Sequence, residues 1–302
     1  MSGLPQKTRI YQNHTLDSER WLNFTRRDDD IVVATPYKCG TTWTQAIVLH
    51  LIFQDLQPRS IDDYSYWVDN NTRPMEKLRA RLDAQSHRRV LKCHLPLDGF
   101  AWRAQDRILV VARDPRDVFM SMWNHYSKYT DVAYASHNNP QTSIGAPLPR
   151  CPDDIRNFWH TWINRGWFGW ESEGYPWWSN MHHVQTWWDA RATENIMLLH
   201  YNDMLADLPG QIAGIADHLG IKCAPDMCAA IADKTSFSSM KRDAEQISPD
   251  PAGAFEGGAK TFINKGTNGR WKTVLTVDDL ADYDRAATRE LSPACRNWLE
   301  SS

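Results

Sequence analysis

No Cys-x-x-Cys pair occurs in this sequence, and its six cysteines (Cys39, Cys93, Cys151, Cys223, Cys228, Cys295) form no His/Cys cluster at zinc spacing. That scatter argues against a structural metal and predicts a reducing compartment. No long Lys/Arg run occurs either, and the net charge is −3. Nucleic acid gripped by its backbone requires a broad basic surface and is not expected as a partner. No uninterrupted apolar stretch approaches the ~18 residues of a membrane span, and the opening Met-Ser-Gly-Leu-Pro-Gln-Lys-Thr-Arg lacks the apolar segment of a secretory signal. A soluble cytoplasmic protein is the expectation. Internal repeats are also missing. What remains is 302 residues, 42% of them hydrophobic, sufficient for one large α/β domain over residues 1–302.

Against those absences stands one dense segment, Ile31-Val-Val-Ala-Thr-Pro-Tyr-Lys-Cys-Gly-Thr-Thr-Trp43. Its β-branched start predicts a buried parallel strand, and Thr41 onward reads as a helix whose N-terminal N–H groups face the turn. An ammonium, a glycine, two hydroxyls and an indole at such a turn make an anion cradle with an aromatic lid. A Walker loop places a glycine four spacers ahead of its Gly-Lys pair; here Lys38 precedes Gly40 and no glycine precedes it within the segment. A nucleotide triphosphatase is therefore disfavoured. Strand-like runs recur at 89–94, 107–112 and 195–201, separated by stretches long enough for helical crossovers. They predict an α/β fold: a P-loop-like central parallel β-sheet flanked by helices on both faces. Helices are expected over 115–129, 153–165, 181–192 and 205–219, the last ended by Gly220. Residues 138–152 and 248–269 read as irregular.

Ligands in open parallel sheets bind at the C-terminal edge of the strands. The second strand ends Val-Leu-Lys92-Cys-His94-Leu-Pro, setting a lysine and a histidine on one side of an alternating strand at that edge. A lone histidine is ordinarily structural; beside an anion turn it becomes a candidate base. The third strand empties into Arg113-Asp-Pro-Arg-Asp117, and Pro115 opens a helix carrying Ser121. Arg113 and Arg116 read either as an anion site or as surface partners of Asp114 and Asp117. The glycine-rich tail Phe262-Ile-Asn-Lys265-Gly266-Thr-Asn-Gly-Arg-Trp-Lys272 reads as a third anion element or as a plain surface loop.

In combination these segments resemble the cytosolic-type sulfotransferases, the family that uses 3′-phosphoadenosine-5′-phosphosulfate (PAPS). Residues 35–43 resemble its 5′-phosphosulfate loop, Ala112 to Ser121 its 3′-phosphate segment, and Asn264 to Lys272 its C-terminal glycine motif. Lys92 to Pro96 resemble the catalytic strand, while Leu199 to Met204 and Lys234 to Met240 resemble two further family segments. The match is ordered across residues 31–276. It implies that Lys38 holds the leaving phosphate, that Cys39, Gly40, Thr41 and Thr42 bind the 5′-phosphate, and that Trp43 stacks on adenine. Arg113 and Ser121, joined by Lys265 and Gly266, would hold the 3′-phosphate. Tyr201, Thr235 and Phe237 would complete the adenine pocket, with Phe262 at its border. His94 would be the base, Lys92 would stabilise the transferring group, and Ser121 would steer Lys38.

The sequence departs from the family at Asn264, where arginine is usual, at Arg270, where aspartate is usual, and at Cys39, where serine is common. Losing an arginine removes a bidentate phosphate contact, which Arg270 or Lys260 would have to replace. The resemblance implies sulfuryl transfer from PAPS to a hydroxyl of a small-molecule acceptor, without a metal. Eight tryptophans between Trp159 and Trp188 point to an apolar or ring-bearing acceptor, with core packing the alternative for part of them. His182 and His183 are adjacent, cannot share a helix-face metal site, and read as surface or pocket-rim residues. Residues 272–277 resemble a family dimerisation motif whose closing acid is replaced by Ala281, so a homodimer is one expectation. A sulfation-coupled dehydratase, a P-loop nucleotide kinase and a non-catalytic aromatic-ligand module are the alternatives.

Overall fold

The structure, a computed structural model, describes residues 5–250, 252–263 and 265–301. Five parallel strands form one sheet: β1 (Ile31–Ala34), β2 (Ser65–Trp67), β3 (Val90–Cys93), β4 (Arg107–Ala112) and β5 (Ile196–His200), in the order β2-β3-β1-β4-β5. β1 is buried throughout, as its unbroken apolar run requires of a strand covered on both faces. Successive side chains divide between two apolar layers. Val32, Ala34, Leu91, Ile108 and Val110 pack with Trp159, Trp162 and Trp187 on one face; Ile31, Val33, Val90, Leu109 and Val111 pack with Ile47, Leu51, Ile212 and Ile215 on the other.

The four expected strands are present with ends moved by a residue or two. β2 was not expected, because three residues following Asp62-Asp63-Tyr64 are too short to display a period. The helix expected over 205–219 is two helices, Tyr201–Ala206 and Leu208–Leu219. Asp207 breaks them, its carboxylate accepting from Gly210 N at 3.0 Å, while Pro209 falls in the first turn, where its missing N–H costs nothing. Gly220 ends the second helix at φ 66°, in the left-handed conformation that position favours. The helix expected to reach Tyr129 stops at Tyr126, and Tyr129 instead bridges Phe255. Helices Met75–Asp83, Pro225–Lys234 and Val277–Glu290 went unforeseen; the last carries a sequence signal, a capping box of Thr276 and Asp279.

Register sets the site. Ala34 pairs with Cys93, so Thr35 lies beside His94, with Thr35 N donating to Cys93 O at 3.1 Å. Ala112 pairs with His200, which carries Arg113 to Tyr201. The chain reverses its strand order on either side of β1, and that crevice is where an open sheet binds ligands.

Candidate active site

Between β1 and helix α1 (Thr41–Phe53) the backbone turns through two positive φ values, 61° at Lys38 and 101° at Gly40. A Cβ on Gly40 would approach the Tyr201 ring to 3.2 Å, so both conformation and space call for glycine. No side chain caps α1, leaving its first N–H groups to an anion. Thr41 Oγ1 lies 2.6 Å from Thr35 Oγ1, and Cys39 turns its thiol inward to donate to Tyr37 O at 3.4 Å. Burial pushes that thiol up to about 12, and it is inert. Only the Cys39 backbone is available to a ligand.

Three cations converge on this turn. Burial, and then Lys92 and Arg113, push the Lys38 ammonium down to about 7. Its Nζ lies 3.2 Å from His125 Nδ1 and 4.9 Å from the centre of the Phe262 ring. Lys92 Nζ lies 4.0 Å from the centre of the Trp67 ring, and burial pushes it down to about 8. Arg113, 4% exposed, stacks 4.2 Å from the centre of the Tyr201 ring and donates through Nε to Asn268 Oδ1 at 2.9 Å and through Nη2 to Thr267 O at 3.2 Å. Among the described residues no carboxylate pairs with any of the three. Asp114 is taken by Arg116 at 2.6 Å in a largely buried pair, whereas Arg113 has no carboxylate partner among the described residues.

His94 follows the last residue of β3. Its Nδ1 donates to Thr35 O at 2.7 Å, which assigns the tautomer and leaves the Nε2 lone pair free. Burial, and then Lys92, hold its pKa well below 6.5, so the ring is neutral at physiological pH. Trp67 and Trp178 flank it, with ring centres at 4.8 and 5.7 Å. The buried Asp69 carboxylate fixes this corner by accepting from His94 N, Trp67 Nε1 and Trp21 Nε1 at 2.9–3.1 Å.

The tail closes the far side. Gly269 N donates to Asp117 Oδ1 at 2.7 Å, and Asn268 Nδ2 bonds Asn202. Gly266 has φ 64°, and a Cβ there would meet Phe237 at 2.6 Å. Tyr201 OH donates to Gly266 O at 3.4 Å. Trp43 meets Tyr201 edge-on at 5.4 Å, with its buried Nε1 unpartnered among the described residues. Thr235 is buried at the end of its helix, donating to Ile231 O at 2.8 Å, and Lys265 is exposed. Trp43, Arg113, Tyr201, Gly266 and Phe237 thus meet around one cleft. Phe262, expected at the adenine border, lies instead at the Lys38 end, against His125 and Phe255. Asn264 lies outside the described residues. Arg270, the other departure, bears electrostatically on Arg113 and has an unpartnered Nε among the described residues.

Sequence reasoning missed His125. It stands one turn after Ser121 on the helix Pro115–Tyr126, and that i, i+4 relation was the available signal. Lys38 hydrogen-bonds His125, whose Nε2 lies 3.1 Å from Tyr129 OH. Asp69 and Trp67 were missed with β2. His183 is a correction: it is fully buried, not a rim residue, because it occupies the inward face of the helix Asn180–Asp189; His182 bonds Asp98 at 3.0 Å. Of the eight clustered tryptophans, Trp159, Trp162, Trp177, Trp178 and Trp187 are buried and Trp170 is exposed. Among the described residues no group of His, Cys, Asp and Glu could hold a metal, and no helix is long and apolar enough to cross a membrane.

A basic loop at the head of a helix, a neutral histidine and a clasp of backbone and aromatics thus meet at one edge of a parallel sheet, an arrangement chemically able to hold an anion beside a proton acceptor. The family model "Sulfotransferase domain" matches residues 28–293, and the chain belongs to that family; it is a sulfotransferase. It is 29% identical over 305 residues to a glycolipid sulfotransferase of Mycobacterium bovis (strain BCG / Pasteur 1173P2), covering 96% of this chain and 93% of the relative. Mouse sulfotransferase SULT7A1 complexed with PAP shares the fold at TM-score 0.68 and 22% identity, over 94% of this chain and 93% of its own. Retinol dehydratase in complex with androsterone and PAP does so at 0.70 and 21%, over 91% and 84%.

Proposed function

We propose that this enzyme, as one sulfotransferase domain over the chain and working in the cytoplasm, transfers a sulfuryl group from PAPS to a hydroxyl on a ring-bearing acceptor. The observation that carries the reading is the set of Lys38, Lys92 and Arg113, three cations without carboxylate partners among the described residues, around an uncapped helix start. Unpaired, partly buried cations fit a ligand with anions at two ends and an aromatic base between them. Trp43, Tyr201, Thr235 and Phe237 would take the base. Arg113, Ser121, Lys265 and Gly266 would take one phosphate, with Arg270 supplying charge near it. The backbone of Cys39, Gly40, Thr41 and Thr42 would take the other. The bound donor supplies the sulfuryl group.

His94 Nε2, with Nδ1 committed to Thr35, accepts the acceptor's hydroxyl proton as its oxygen bonds to sulfur. Positioned base catalysis contributes about 10²–10⁴-fold. The bond that breaks joins sulfur to the bridging phosphate oxygen, and protonated Lys38 stabilises the charge left on that oxygen. Lys92 neutralises the oxygens of the moving group, in a cleft where burial strengthens such contacts. Trp67 beside His94 supplies a stacking wall for an acceptor ring, backed by the buried Trp178. Sugars stack on indole as well as sterols do, and the similarity to a mycobacterial glycolipid sulfotransferase supports including glycolipids among the acceptors to test. A lasting sulfate ester is the product; an alkene would instead identify a dehydratase.

Titration calorimetry without magnesium, comparing adenosine 3′,5′-bisphosphate (PAP) with 5′-AMP and ATP, tests the reading. Micromolar binding that requires the 3′-phosphate is expected. Preference for ATP, or no binding of PAP, overturns it in favour of the kinase or binding module.

A further inference from the structure

Lys92 has a second neighbourhood besides the anion turn. It forms one wall of a cavity of about 510 Å³ bounded by Trp67, Phe262, Gln45 and Ser60, with Arg20 and Lys77 also on its lining. The rim arginines Arg73 and Arg81 are neutralised by Asp62 and Asp63. Arg20 and Lys77 are not: among the described residues neither has an ion-pair partner. Arg20 is only 6% exposed; its Nε donates to Val68 O at 2.8 Å, and its buried Nη2 has no partner among the described residues. The acids nearest in charge are already engaged or apart from it. Asp17, Asp69 and Glu76 favour the charged guanidinium from a distance, but none forms an ion pair with it among the described residues: Asp69 accepts from two indoles and His94 N, and Asp17 caps its own short helix by accepting from Glu19 N. Gln45 Oε1 and Ser60 Oγ are likewise buried without partners among the described residues.

A buried guanidinium N–H without a hydrogen-bond acceptor is costly, and an anionic oxygen is the acceptor that best completes it. The proposed reading assigns the donor's phosphates to α1 and Arg113, so the unpartnered Nη2 of Arg20 and the unpaired ammonium of Lys77, on a lining whose Asp62 and Asp63 are paired with Arg73 and Arg81, point to another ligand. We propose that this cavity binds an acidic group carried by the acceptor itself, so that the enzyme sulfates a hydroxyl of an anionic, ring-bearing molecule. This rests on the sulfuryl-transfer reading. Lys92 links the two regions, with the moving sulfuryl group on one side and the acceptor's anion on the other. Arg20, reached from the short helix Ser18–Leu22, offers a planar fork suited to carboxylate, sulfate or phosphate. Trp67 offers the ring wall between them.

The test uses a matched pair, p-nitrophenyl β-glucuronide and p-nitrophenyl β-glucoside, which differ in the carboxylate at C6. Each is titrated into the enzyme saturated with PAP. The glucuronide is expected to bind at least about tenfold more tightly, a typical gain for a charge-assisted contact, and to lose that preference in Arg20→Gln while PAP affinity and glucoside binding stay unchanged. Lys77→Met, an exposed substitution that does not threaten folding, should reduce the preference at least about threefold, and added salt should weaken it. Equal binding of the two, no binding of either, or a preference that survives both substitutions overturns the proposal. Failure of PAP itself to bind overturns the sulfotransfer reading instead.

Discussion

Lys38 carries two opposed demands at the scale of single residues. The proposed mechanism needs it charged, yet burial and its cationic neighbours hold it near 7 in the free enzyme. Bound anions raise that value, so donor binding takes up a proton, and affinity falls as pH rises through the free-enzyme pKa. The kcat/KM for the donor, which reports free-enzyme ionisations, is expected to decline above about pH 7. The acid limb, set by His94, should lie well below 6.5. His125 accepts from the Lys38 ammonium and so favours its charged form. His125→Phe is expected to move the alkaline limb to lower pH and cost about tenfold at pH 8, with a smaller loss at pH 6; a uniform loss across the profile would deny His125 this role. His94→Ala should abolish transfer with PAP affinity retained, and loss of both together would reject its assignment as base.

Single elements set how the cleft closes. The segment 265–270 is held to the sheet edge by Arg113, Asp117 and Asn202, and these contacts place Gly266 against Phe237. Gly266→Ala puts a methyl into that ring at a positive φ, two penalties at once. PAP binding should weaken at least about tenfold, read by calorimetry, while circular dichroism and the melting temperature change little. A large loss of stability would mean that the segment holds the fold together rather than covering the ligand. The same logic explains why β1 and α1 were legible: a β-branched run, a lysine-glycine turn and an apolar helix are all local. β2 and the tail's clasp depend on partners up to 155 positions away.

Across the whole molecule, stability should depend on two buried carboxylates beneath the tryptophan layer. Burial pushes Glu173 up to about 7 and Glu171 up to about 8. Glu173 Oε1 accepts from Ser179 Oγ and from Met181 N, tying the preceding loop to a helix start. The folded state holds these protons where the unfolded chain, with ordinary carboxyl values near 4.5, has released them. Stability is therefore full below about pH 4.5 as far as these groups are concerned, and it declines as pH rises toward 7–8. The contribution of Glu173 is on the order of 3 kcal/mol. Glu173→Gln keeps the shape without the charge, and denaturant titrations at pH 5 and pH 8 should show its stability deficit shrinking or reversing at the higher pH. An unchanged pH slope would refute the assignment.

By itself the sequence determined the parallel α/β class, the order of the basic segments and the strand that ends in Lys92 and His94, because each depends on residues within a few positions of one another. The tertiary structure decided which arginine pairs with a carboxylate, since Asp114 chooses Arg116 only once the helix Pro115–Tyr126 is built. It decided that Lys38 meets His125 and Phe262, and that His183 is buried rather than displayed. It also decided that Arg20 and Lys77 line a cavity with Lys92, residues 72 positions apart at the extremes. The physical reason is common to all of these. Periodicity and turn chemistry are written along the chain, whereas charge pairing and burial depend on what the folded sheet brings within a few ångströms.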